Sequence, residues 1–133
     1  MGGFDAIGIA GSGMTVYRTW LDALSDNLAN MSTVTSTDKA AFQARYVIAQ
    51  AADYGQEGGV EVAGVAFGSA EGRVVYEPNH PLADADGNVR YPDIDMSSQM
   101  TQLIMAQRGY QANAAVVDRA KETYQAALQI GRS

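Results

Sequence analysis

Residues 96 to 130 read MSSQMTQLIMAQRGYQANAAVVDRAKETYQAALQI and contain no proline. Met100, Leu103, Gln107, Tyr110, Ala114, Val117, Lys121, Tyr124 and Leu128 recur at steps of three and four. That is the a/d spacing of a coiled-coil seam, and it predicts one long helix. At about 1.5 Å per residue the helix reaches roughly 50 Å. A compact chain of this length has a radius of gyration of only about 14 Å, so the helix projects beyond any core the chain can build. Its seam is interrupted by Gln107, Ala114 and Lys121, too weak for an autonomous dimer zipper. Packing against a second helix of the same chain, and then against neighbours, is the expectation.

The second helix is at the other end. In residues 5 to 30, DAIGIAGSGMTVYRTWLDALSDNLAN, the residues Ile7, Ala10, Met14, Tyr17, Leu21, Leu24 and Leu28 again step by three and four. Five glycines precede Met14, and each costs about 1 kcal/mol relative to alanine inside a helix, which weakens the first turns in a free monomer. Asn30 suits a left-handed C-cap, and the following run of serine and threonine, residues 32 to 37, competes with helix through side-chain to backbone bonds. The helix is expected to stop near Met31.

Between the two helices the composition changes. All three prolines lie between Thr37 and Asp95, with half of the fourteen glycines. Short β-prone pieces at Arg45 to Ile48, Val60 to Phe67, Arg73 to Tyr76 and Asn88 to Tyr91 are separated by turn signals at Gly55-Gln56, Gly58-Gly59 and Asp86-Gly87. They predict a small antiparallel region, with Asp86-Gly87 as a hairpin cue. Asp93 or Asp95 can accept the first amide hydrogens of the long helix. The fold class is therefore α+β: long terminal helices, 1–31 and 96–133, paired as a coiled-coil-like bundle that forms an assembly domain, and a β-rich insertion, 32–95. The narrow seams bury too little to order the helices fully, so complete ordering is expected when other subunits cover their remaining faces.

Composition narrows the function. With 47% hydrophobic and 18% charged residues the chain is an ordinary folded domain. A net charge of −6, without any basic run, removes nucleic acid and anionic membrane from the expected partners. No stretch approaches the roughly 20 apolar residues of a membrane span, and the start lacks the basic region of a cleaved signal peptide. With no cysteine there is no disulfide, thiolate zinc site or thiol nucleophile.

Candidate chemistry is thin. His80 is the lone histidine, set between prolines in a turn; a general base needs a nucleophile or orienting carboxylate held within reach, and a loop or interface role is the expectation. Residues 82 to 87, LADADG, imitate a calcium loop, but the first ligand position falls on Leu82 and the twelfth on Asp93 where glutamate is needed. Gly8, Gly11 and Gly13 lack the lysine and preceding strand of a phosphate-binding loop. No catalytic, cofactor-binding or metal residue is expected, and no enzyme. The amides Asn27, Asn30, Gln111 and Asn113 are different. Asn30 suits a cap; Asn27 and Asn113, on mostly buried helix faces, are expected to hydrogen-bond to neighbouring subunits and fix register.

Asn27-Leu-Ala-Asn30 closing one helix and Tyr110-Gln-Ala-Asn113 inside the other resemble the bacterial flagellar axial proteins. Residues 75 to 89, VYEPNHPLADADGNV, narrow the resemblance to the family of the proximal rod protein, flagellar basal-body rod protein C. The resemblance spans nearly the whole chain. It implies a structural subunit of the rod, the shaft that crosses the periplasm, exported by the flagellar type III apparatus without a cleaved signal. Implied partners are other proximal rod proteins, the distal rod protein and copies of itself. The expected interface comprises Met14, Tyr17, Leu21, Leu24, Asn27, Leu28 and Asn30 on the first helix. On the second it comprises Met100, Leu103, Gln107, Tyr110, Gln111, Asn113, Val117, Tyr124 and Leu128. The competing reading from another class is a secreted helical adaptor that grips a ligand with its β region; such a module would be fully folded alone.

Overall fold

The computed structural model describes residues 2–52 and 58–132. Two helices bracket four strands in the order α1 (Gly2–Ala29), β1 (Arg45–Ala51), β2 (Val60–Phe67), β3 (Arg73–Tyr76), β4 (Asn88–Tyr91) and α2 (Met96–Arg132). The α+β layout with terminal helices is the one the periodicity predicts, and three of the four strands have the expected bounds. The fourth, β1, runs three residues longer through Ala49, Gln50 and Ala51 by means of a bulge between Ile48 and Ala49. The Gly55-Gln56 turn signal lies outside the described residues.

Each boundary has a local cause. Asp95 Oδ2 accepts the Ser98 N–H at 2.8 Å, capping the first turn of α2. At the end of α1, Asn30 donates to the Asp26 carbonyl through both its backbone N–H, at 3.1 Å, and its side-chain Nδ2, at 2.9 Å. Asn30 is therefore not a left-handed cap: among the described residues every positive φ belongs to glycine. An amide side chain that satisfies the last-turn carbonyl itself removes the need for the left-handed turn.

The strands form two separate antiparallel pairs, β1 with β2 and β3 with β4. In the first, Arg45 faces Phe67 and Ala51 faces Val60; in the second, Arg73 faces Tyr91 and Tyr76 faces Asn88. The Asp86-Gly87 cue does not make a two-residue hairpin. The β3–β4 connection instead runs from Glu77 to Gly87 through three successive turns closed by His80 N–H to Glu77 O, Ala83 N–H to His80 O and Gly87 N–H to Asp84 O. Gly87 ends it with φ +81° beneath the Tyr76 ring.

The helices are antiparallel, with Asn27 opposite Gln99, Tyr17 opposite Gly109 and Gly13 opposite Asn113. Each pair of residue numbers has the same total, so a single register runs the length of the pair. α1 packs against α2 on one side and against β1–β2 on another; among the described residues α2 packs on α1 alone of the regular elements. The core is small. Among the described residues, Leu24, Val89, Asn27 and Pro92 are the largest fully buried side chains.

The face of α2 turned to α1 takes in only part of the expected seam, of which Leu103, Tyr110, Ala114 and Val117 are half-buried. Gln99 and Ala106 are its buried residues, while Met100, Gln107 and Lys121 are exposed. Small and amide side chains face α1 because they let the axes come close, and the larger Met100, Ile104 and Met105 are left pointing outward.

Candidate assembly interface

Asn27 organises the base of the helical pair. Its Nδ2 donates to the Arg45 carbonyl and to Gln99 Oε1, each at 3.0 Å, and its Oδ1 accepts the Arg45 N–H at 2.9 Å. Both donors and the acceptor of one amide are thereby used. Asn27 is 0% exposed and Gln99 3%, so the three bonds tie the end of α1, the start of β1 and the start of α2 in a dry joint. An ion pair between Arg45 and Asp26 closes the solvent side.

Higher up, two glycines set the spacing. A Cβ at Gly109 would lie 2.4 Å from the Tyr17 ring, and one at Gly13 would lie 2.8 Å from Asn113 Nδ2. The Tyr17 ring rests on the bare backbone of α2, and Asn113, whose Nδ2 donates to its own Gly109 carbonyl at 3.1 Å, rests on that of α1. Arg18 lies 5.8 Å from the Tyr110 ring centroid and donates to its hydroxyl at 3.2 Å. Tyr17 in turn stacks on Trp20, centroids 6.1 Å apart.

The β units are attached differently. Ser12 Oγ accepts the Val60 N–H at 3.0 Å, linking β2 to α1. Beneath that strand pair lies an apolar cavity of about 290 Å³, walled by Val16, Tyr17, Trp20, Val47 and Ala49. Beside it, between the first half of α1 and the outer part of the hairpin, opens a groove of about 630 Å³. The β3–β4 pair is held by Thr35, which exchanges two backbone bonds with Arg90 at 2.9 Å each. The Arg90 guanidinium donates to the carbonyls of Glu71 and Thr37. In the loop, Asp84 Oδ1 accepts the Asp86 and Asn88 N–H groups at 2.9 Å each, and its Oδ2 accepts the Thr37 hydroxyl at 2.7 Å. Those bonds, the one from Asn88 foremost, hold the Asp84 carboxyl below its ordinary value. Both oxygens are occupied as acceptors, which makes residues 82 to 87 a turn stapled by its own aspartate. His80 Nδ1 likewise accepts the Leu82 N–H at 3.0 Å within its turn.

The expected interface residues fall into three groups. Leu24 and Asn27 are buried within the chain. Met14, Tyr17, Leu21, Leu28, Asn30, Leu103, Tyr110, Asn113 and Val117 are half-buried, and Met100, Gln107, Gln111, Tyr124 and Leu128 are exposed. The expectation that Asn27 reaches a neighbouring subunit is corrected: its whole amide is used inside one chain, where it fixes the register of α1 on α2. Asn113 donates to the Gly109 carbonyl of its own helix through Nδ2 alone. Gln99, Arg45 and the two glycines were missed from sequence. The signal available was a glycine inside a long helix, which marks close approach.

The family model described as flagellar basal body rod FlgEFG protein C-terminal matches residues 85–130. The flagellar basal-body rod protein FlgC of Yersinia enterocolitica is 40% identical over 126 residues, covering 93% of this chain and 94% of the relative. The chain belongs to the FlgC family of flagellar basal-body rod proteins. FlgC of Salmonella typhimurium LT2 is 38% identical over the same coverage, and FlgC of Borreliella burgdorferi is 30% identical over 98% of each chain. The FlgC match thus takes in both helices and both strand pairs, and the family-model match takes in Gln99, Gly109 and Asn113.

Proposed function

We infer that the chain is a structural subunit of the flagellar basal-body rod and that it assembles with other rod components. The observation that carries this is the end-to-end similarity to FlgC proteins, combined with a helical pair whose larger apolar side chains point away from its own core. In this reading the two helices, with residues 1–31 and 96–133, form the part that packs into the rod, and residues 32–95 form a β-rich insertion on that shaft. Partners are other proximal rod proteins, the distal rod protein and further copies of this chain. The rod crosses the periplasm, and the subunit reaches it through the flagellar type III export apparatus. Torque is carried by side-by-side contact; no bond chemistry is required of any residue. The interface is drawn from the outward residues Met100, Gln107, Gln111, Tyr124 and Leu128, with Leu103, Tyr110 and Val117 at its margin.

Mass spectrometry of detergent-resistant basal bodies, stripped of their hooks, tests the proposal. The chain is expected in fixed ratio to the other rod proteins. Recovery only in soluble fractions would overturn it.

A further inference from the structure

The groove between α1 and the β1–β2 hairpin and the far end of α2 are complementary in charge, and each carries apolar surface. Along the groove's helical wall, Ser12 Oγ donates to the Ile9 carbonyl at 2.7 Å, Thr15 Oγ1 to that of Gly11 at 3.2 Å and Thr19 Oγ1 to that of Thr15 at 3.0 Å. Hydroxyls turned back on their own helix leave a wall of methyl and methylene groups that asks for no polar partner. Among the described residues, Asp5 and Glu61 are the charged residues of the lining, and no lysine, arginine or histidine contributes to it.

At the other end, α2 runs past the start of α1. The common register brings Gly2 level with Tyr124, so the last eight or so residues of α2, roughly 12 Å, lie beyond α1. Leu128 falls on the continuation of the face that carries Gln99, Ala106 and Val117 against α1, and it is 45% exposed. That stretch is narrow, with Ala126 and Ala127 beside Leu128. From Thr123 to Arg132 its one charged side chain is Arg132. A slim, apolar, cationic tip and an apolar groove with an acidic rim occur on one chain, yet α2 is an unbroken helix directed away from its own groove.

We propose that the end of α2 from a second copy of the chain occupies this groove, its Leu128 against Thr15 of α1. The proposal deepens the rod-subunit reading and rests on it for its setting. Placing Leu128 level with Thr15 moves the second copy along the helix axis by about 25 Å relative to the in-chain register. The two surfaces are different, so the contact is heterologous and each copy offers a free groove or tip to the next, giving an open polar row.

The chain has no cysteine, which makes disulfide trapping free of background. In purified basal bodies, the Thr15→Cys, Leu128→Cys double variant is expected to give a non-reducing ladder of dimers and higher multimers of this chain. Thr15→Cys with Asp118→Cys, on another face of α2, is expected to give less than about a tenth as much. The chain present in basal bodies with no ladder, from this pair or from Thr19→Cys with Gln125→Cys, overturns the groove contact and leaves the rod reading intact. Absence of the chain from basal bodies overturns the rod reading instead. The same oxidation on purified, concentrated wild-type-length chain then decides the groove: a ladder supports it and monomer alone overturns it.

Discussion

One amide and two glycines determine how the helices meet. Replacing Asn27 with alanine strands the Arg45 N–H and carbonyl and Gln99 Oε1 at a joint where Asn27 and Gln99 are buried, and each unpaired buried group costs about 1–3 kcal/mol. For Asn27→Ala the expected result is a fall in Tm of roughly 10 °C by circular dichroism; a shift under about 2 °C would show that the joint relaxes at little cost. Glycine substitutions test the close approach by their sign. Gly11→Ala meets nothing within 4 Å, so helix propensity should raise stability by about 0.5–1 kcal/mol. Gly109→Ala gains the same propensity but drives a methyl into the Tyr17 ring, and a net loss of about 1–3 kcal/mol is expected in urea denaturation. If both variants are stabilised, the helices are not in contact at Gly109.

Among the elements, the strands were legible and the rotation of α2 was not. Val60 to Phe67, between Gly59 and Gly68, and Arg73 to Tyr76, between Gly72 and Glu77-Pro78, are β-prone runs, and their extents follow from local turn chemistry. Periodicity weighs large apolar residues most and so points Met100 and Tyr124 inward, although both are exposed. Gln99, Ala106, Gly109 and Asn113 share the packed face with Val117 of the expected seam. Polar and small residues score as surface, and only the presence of α1 at short range makes them interior. Asn27 posed the same difficulty, since its partners are 18 and 72 residues away in the chain. The β3–β4 loop depends on charge. Asp84 accepts its hydrogen bonds as a carboxylate, and its folded pKa is depressed below 3.8. Its contribution is therefore present above about pH 4 and is lost as pH falls through the lower folded value. In NMR titrations the Asp86 and Asn88 amide resonances should move together with a midpoint below 3.8; no movement down to pH 2 would separate the turn from the carboxylate.

Taken whole, the molecule is anchored at one end of its helical pair. Buried residues of α2 are confined to its first third, at Gln99 and Ala106, and every residue from Lys121 to Arg132 is exposed. Amide hydrogen exchange on the dilute chain is expected to show slow exchange around Gln99 to Asn113 and fast exchange beyond Lys121, with protection spreading outward on assembly. Uniform protection along α2 in the monomer would favour a module that is complete alone. The cavity beneath β1–β2 has an optical consequence. Trp20, the chain's one tryptophan, forms part of its wall beside Tyr17, so the emission colour of a single indole reports whether the hairpin is seated on α1. A blue-shifted spectrum that reddens when the hairpin lifts gives the unlabelled protein a built-in gauge of its own closure, readable in dilute solution.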